Sequence, residues 1–416
     1  MLDYYNDHFR DLKLQLDITK LLRPRSGLPS TTDRFNRGKP VCLGYLGGSI
    51  TLGKGYRVLV TELLREKYPQ SNISGINGGI GGTGSTLGAF RLYNDILRHN
   101  PNLVFVEFAV NDCATTPERC LAATEGIVLQ IRQFNPDIDI CFIYTINVAL
   151  KKALDCGSQF WTVTNMEKIA DHYGIPSINL GPEVVAQEKT DKLIYQLPRD
   201  SEAESSARQA GKVVFSYDSV HPTLDDGQSL YSRVILSALE QLVAMPQITP
   251  AAPPHSLSPC PWDNAQMIPL SSIECSKEWA KVTPETENLT QIVNIQRLPE
   301  IWKANKPGAK IRFRFKGTGF GLFGLFGLNS GQFKVFIGGV EYPKAALFDS
   351  YSNRYRVHYL IVAEPLKDKE HDVVLQLDSE PPDRSVLSPN RPVDDPAKLE
   401  GLVAYLGNLL TIGKII

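Results

Sequence analysis

The chain predicts two domains of different class: a three-layer α/β domain on a mostly parallel sheet, then an all-β sandwich or jelly roll. Three observations carry this. Between Pro40 and Ala244, short apolar runs alternate with longer amphipathic ones, the pattern of strands exchanged with helices. Residues 246–262 interrupt it with a proline-rich stretch that reads as an extended, semi-rigid connector. Beyond that, strand-like runs follow one another with no helix between them. A length of 416 residues is also too great for one ordinary domain.

In order, residues 1–37 form a polar lead-in, with helical periodicity over Phe9–Leu22 and then a connector rich in Pro, Ser, Thr and Arg. Residues 38–245 form the α/β domain. Val41–Leu46 reads as a buried strand, and Tyr56–Tyr68 as a helix whose apolar face carries Val58, Leu59, Leu63 and Leu64. Ile73–Asn77 is the second strand and Thr86–His99 the second helix. Leu103–Ala109 is the third strand, apolar throughout apart from Glu107. Ala122–Phe134 is a helix, Ile138–Ile146 the fourth strand, Thr164–Tyr173 a helix and Pro176–Leu180 the fifth strand. In sheets of this kind ligands bind beyond the carboxyl ends of the strands. Residues 263–416 form the β domain. Its strands are expected at Lys310–Phe315, Gly319–Phe326, Gln332–Ile337, Arg354–Val362 and Asp372–Leu377, with a tight turn at Gly338-Gly339 and one or two strands in Leu402–Ile416.

Composition narrows the function classes. Hydrophobic residues make up 42% and charged residues 21%, enough apolar material for a proper core. The formal charge of −1, with lysine and arginine scattered among acids, argues against a nucleic-acid partner. The amino terminus has no basic and apolar leader pattern, and no apolar run approaches the ~20 residues of a membrane span. This points to a cytoplasmic protein, or to a secreted or periplasmic one whose leader has been removed. Seven cysteines at irregular spacing do not form a disulfide framework, although Cys113 and Cys120 bracket a short loop and their pairing stays open. No cluster has zinc-ligand spacing, and neither a metal nor an organic cofactor is expected.

Gly47-Gly48-Ser49-Ile50-Thr51, Asn77-Gly78-Gly79-Ile80-Gly81-Gly82-Thr83-Gly84-Ser85, Val110-Asn111-Asp112 and Asp218-Ser219-Val220-His221-Pro222 carry the chemistry. A serine hydroxyl keeps its proton at neutral pH, so it needs a base within reach and a third group to orient that base. Ser49 follows a buried strand and two glycines. Taken alone it would be an ordinary helix cap. His221 is the candidate base, and Asp218, three residues earlier, the group that fixes its tautomer. The histidines at 8, 99, 172, 255, 358 and 371 have no aspartate so placed. The Ser49 backbone N–H is a candidate donor to a developing oxyanion.

These four blocks, in this order, resemble the SGNH (GDSL-like) hydrolase family over residues 38–245. The resemblance implies a three-layer αβα, flavodoxin-like domain with a five-stranded sheet. It also implies an acyl-serine route with Ser49, Asp218 and His221 as triad, and Gly82 N–H and the Asn111 amide as further oxyanion donors. Asp112 would anchor the Asn111 loop. Two positions depart from the family pattern: Ala109 stands where the third block often has glycine, and Gly48 where the namesake Gly-Asp-Ser has aspartate. The glycine variant, followed by Gly53-x-Gly55-Tyr56-Arg57, resembles the carbohydrate-esterase branch, whose members commonly deacetylate polysaccharides and often carry an added β-sandwich. The implied partner is an O-acylated small molecule or glycan, with no membrane insertion.

Three other readings remain. The same triad can pass an acetyl group to a sugar hydroxyl, making an O-acetyltransferase. Gly79-Ile80-Gly81-Gly82-Thr83-Gly84 matches G-x-G-x-x-G, although a dinucleotide fingerprint belongs after the first strand, with an acid after the next. The third is a non-catalytic carbohydrate-binding protein. In the second domain Trp302, Phe313, Phe315, Phe320, Phe323, Phe326, Tyr351 and Tyr355 are suited to sugar stacking, but strand alternation favours core packing for most of them.

Overall fold

The computed structural model describes residues 17–248 and 255–416, in two compact units divided between Asp263 and Asn264. In the first unit five parallel strands make the sheet: β2 (Val41–Gly47), β3 (Ile73–Gly79), β4 (Leu103–Glu107), β5 (Asp139–Tyr144) and β6 (Ser177–Asn179). They lie in the order β3-β2-β4-β5-β6. This is the flavodoxin-like order, with its switch point beside β2. A sixth, two-residue strand, β1 (Leu22–Arg23), pairs antiparallel with β6. Every residue of β4 and β5 is buried, because helices cover both faces and leave no solvent side on which polar residues could alternate. Helix Tyr56–Lys67 packs with Gly227–Ala244, and Ser85–Asp95, Pro117–Phe134 and Trp161–Tyr173 pack in series.

Several boundaries differ from the sequence reading. The helix expected over Phe9–Leu22 lies largely outside the described residues; Ile18–Leu21 is one helical turn running into β1. Residues 17–37 are part of the packing, since Leu28 and Phe35 are buried and Arg25 reaches Glu167, Asp171 and Ser177. The second helix ends at Asp95, and a short 3-10 turn covers Leu97–His99. Part of the proline-rich stretch, residues 249–254, also lies outside the described residues. Its end, residues 255–262, is held to the first unit. Glu125 accepts the backbone N–H groups of Leu257 and Ser258 at 2.6 and 2.7 Å, and the 1%-exposed Trp262 ring packs against Phe90.

The second unit is an antiparallel ten-stranded array. The runs read as separate strands at Lys310–Phe315 and Gly319–Phe326 are one 17-residue strand, β13 (Lys310–Phe326). The register shifts between Gly317 and Gly319. Before that point β13 pairs with β17 (Lys369–Leu377), after it with β16 (Arg356–Ala363), and from Phe315 to Leu325 with β18 (Ala404–Ile415). One strand thereby serves both halves of the sandwich. Phe313, Phe315, Phe320, Phe323 and Phe326 are all buried, whereas Tyr351 is exposed.

Candidate active site

The site forms at the carboxyl ends of β2, β3 and β4. In register, Gly47 is flanked by Gly79 on one side and Glu107 on the other. Hence the three loops that follow these strands leave the sheet side by side. Arg91, 1% exposed, ties two of the strand ends together: its guanidinium donates to the carbonyls of Gly47 (2.9 Å) and Gly78, and to Asp95 Oδ2 (2.7 Å).

Ser49 opens a single helical turn, Ser49–Leu52, straight after β2. A Cβ at Gly48 would stand 1.9 Å from Asn111 Oδ1, so no side chain fits there while Asn111 keeps its place. Gly82 has φ of +70°, a left-handed conformation that suits glycine, on the exposed loop after β3. The neighbouring Gly81 would bring a Cβ to 3.8 Å from the Ser49 Cβ. Asn77 spans the two loops, donating from Nδ2 to Leu52 O at 3.1 Å and accepting from Gly79 N at 3.0 Å. Asp112 is buried. It accepts the Ser85 N–H at 2.8 Å and the Cys120 thiol at 3.5 Å, which anchors the Asn111 turn. Burial pushes its carboxyl up to about 6. The same contact bears on the G-x-G-x-x-G reading, because the first N–H of the following helix already faces a carboxylate. Cys113 and Cys120 are both free thiols.

Asp218 and His221 lie on a tight loop after β8 (Val213–Ser216), which pairs in parallel with β7 (Leu193–Gln196). A bridge between Ser216 and Pro222 closes the loop, and Ser219 takes a left-handed φ of +66°. Asp218 Oδ1 accepts the backbone N–H of Val220 (3.0 Å) and of His221 (2.8 Å), while Oδ2 faces His221 Nδ1 at 2.6 Å. Burial opposes the carboxylate charge, but the His221 N–H, its ring and the Val220 N–H outweigh it and hold the group at about 2. An ionised Asp218 can only accept, so Nδ1 carries the proton and Nε2 is the acceptor for Ser49. The Ser49 Oγ to His221 Nε2 distance is 2.8 Å. Ser49 and His221, 172 positions apart, thus meet at hydrogen-bond distance, with the imidazole already oriented. A hydroxyl, a base and an orienting carboxylate in this sequence are able to generate an alkoxide-like nucleophile.

The sequence reading missed Glu107 and Arg91 as parts of this site. Glu107 did leave a signal, as the one charged residue in an otherwise apolar strand. Arg91 left none, because arginine on an amphipathic helix is ordinary. Among the described residues, no group of three His, Cys, Asp or Glu side chains is placed to hold a metal ion, and no helix is long and apolar enough to cross a membrane.

Fold and site together define an α/β hydrolase domain of the SGNH type joined to a β-sandwich. Residues 45–225 match the GDSL-like Lipase/Acylhydrolase family. The matched span contains Ser49, Gly82, Asn111, Asp218 and His221. No curated protein sequence matches the chain. Among solved structures, the chain is similar to a two-domain esterase active on acetylated mannans, crystallised with mannopentaose: TM-score 0.70, 20% identity, covering 95% of this chain and 98% of that one. A second structure of that two-domain esterase gives 0.69 at the same identity and coverage. An acetylxylan esterase from Geobacillus stearothermophilus aligns with 49% of this chain and 95% of its own, at 18% identity and a TM-score of 0.38.

Proposed function

We propose that this protein is a serine esterase that removes O-acetyl groups from a carbohydrate, through an acyl-serine intermediate. The observation that carries the proposal is the continuous Asp218–His221–Ser49 relay, at 2.6 and 2.8 Å. Ser49 Oγ attacks the acetyl carbonyl carbon while His221 Nε2 takes the hydroxyl proton. The carbonyl oxygen becomes an oxyanion facing the Ser49 N–H, the Gly82 N–H and the Asn111 amide. Collapse breaks the bond to the sugar oxygen, which leaves with the proton from His221. Water then adds to the acetyl-serine with His221 again as base, and acetate departs. Asp218 stays ionised throughout and stabilises the imidazolium.

Two observations favour a glycan as substrate. The likeness to an esterase active on acetylated mannans extends over both domains, not the hydrolase domain alone. The Asp218 and His221 side chains are 55% and 49% exposed, so a bulky acetylated chain need not be swallowed to reach the serine. The test is acetate release from acetylated mannan, acetylated xylan and p-nitrophenyl acetate under one set of conditions. A kcat/KM on an acetylated glycan above that on the aryl ester supports the proposal. Activity confined to the aryl ester would remove the carbohydrate from it, and acetyl transfer to an added glycan exceeding acetate release would replace hydrolysis with transfer.

A further inference from the structure

Beneath the nucleophile turn lies a carboxylate with no counterpart in the triad or the oxyanion donors. Glu107 ends β4 and is fully buried. Its Oε2 accepts the Thr51 hydroxyl at 2.9 Å and its Oε1 accepts the Thr145 hydroxyl at 2.6 Å, while the backbone N–H of Gly48 reaches the same carboxylate. Thr51 lies within 2.8 Å of the buried Tyr56 hydroxyl. A Tyr56-to-Thr51-to-Glu107 direction of donation leaves each oxygen satisfied. Two of the three donors into Glu107 therefore come from Gly48 and Thr51, the residues that bracket Ser49-Ile50. Arg57 also reaches the turn, its Nε donating to the Thr51 carbonyl at 3.3 Å.

We infer that Glu107 is a positioning residue. It clamps the Gly48–Thr51 turn from below and so fixes the direction of the Ser49 hydroxyl and backbone N–H. The inference rests on the reading of Ser49 as nucleophile. In its ionised form Glu107 only accepts, and a buried carboxylate that binds a backbone N–H and a hydroxyl from one turn leaves that turn a single orientation. A misplacement of the nucleophile on the order of 1 Å costs about 10²-fold in rate. Glutamine has the same shape but replaces one acceptor oxygen with a donor, which faces either the threonine hydroxyls or the Gly48 N–H.

The experiment compares the full chain with Glu107→Gln and Thr51→Val, and with Glu125→Gln as control. Glu125 is equally buried and holds two backbone N–H groups far along the chain from the nucleophile turn, at Leu257 and Ser258. Two readouts are taken: kcat and KM on p-nitrophenyl acetate, and the rate at which a fluorophosphonate probe labels Ser49. Glu107→Gln is expected to lower kcat and labelling rate on the order of 10- to 100-fold with KM within about twofold. Thr51→Val should move the same way. Glu125→Gln should lower thermal stability and leave both rates unchanged. If Glu107→Gln does not fold, Thr51→Val decides the matter alone. Wild-type kcat and labelling in the folded Glu107→Gln or Thr51→Val protein would overturn the inference while leaving Ser49 as nucleophile. A wild-type protein that neither labels nor hydrolyses would remove both.

Discussion

Gly48 shows how closely one residue governs the site. A Cβ there would stand 1.9 Å from Asn111 Oδ1, so any side chain must displace the Asn111 amide or shift the nucleophile turn. Gly48→Ala is therefore expected to lower kcat on p-nitrophenyl acetate on the order of 10- to 100-fold with little loss of stability, read as a melting temperature close to wild type. Gly48→Asp, which restores the family's more usual residue, should be worse rather than better. The sequence exposed this position as a departure but not its closeness to Asn111, because residues 48 and 111 become neighbours only when β2 and β4 pair. The triad was easier to read. Asp218 and His221 lie within one short loop, so their approach is local, and Ser49 follows a strand whose apolar pattern is plain. Glu107 and Arg91 were harder. Each acts by bonding to backbone of another strand, and such partners have no fixed spacing along the chain.

At the scale of elements, β4 is the unusual one: a fully buried strand that ends in a charge. Burial is the largest influence on Glu107 and pushes its carboxyl up from 4.5 to about 7, against the bonds from Thr145, Thr51 and Gly48. In the window between those values the folded protein keeps a proton that the unfolded chain has released. Folding stability contributed by this group therefore falls as pH rises through the window, and levels off above it. Glu107→Gln removes that dependence. The urea midpoint of the wild type should drop more between about pH 5 and about pH 7.5 than that of the variant. Equal drops would show that Glu107 titrates as an ordinary exposed carboxylate. Secondary structure followed the sequence best where apolar patterns were continuous, in β2, β4 and β5. It was missed in β7, β8 and the short helices around them, where the apolar pattern is weak over a few residues, and in β13, where Gly317 and Gly319 look like a turn but mark a bulge.

For the whole molecule, the two-domain organisation was legible from the change in texture after the proline-rich stretch. Less legible was how much of that stretch belongs to the hydrolase unit. Trp262 is buried in it and its carbonyl accepts Gln130 Nε2 at 2.8 Å. Every group assigned to the chemistry lies in the unit that ends at Asp263. A chain of residues 1–263 should therefore fold and keep its kcat on p-nitrophenyl acetate within about threefold, whereas one cut before Ser256 should be less stable by about 3–5 kcal/mol for the lost Trp262 alone. Loss of small-ester hydrolysis in folded 1–263 would mean that the β-sandwich supplies part of the catalytic machinery.

In the proposed reaction Ser49 carries the acetyl group. The most direct test of that role is acetate release from O-acetylated mannan by the wild type beside a folded Ser49→Ala protein. Release by the wild type is expected, with a rate lower by roughly 10⁴ to 10⁶ in the variant. Release by Ser49→Ala at the wild-type rate would contradict that role.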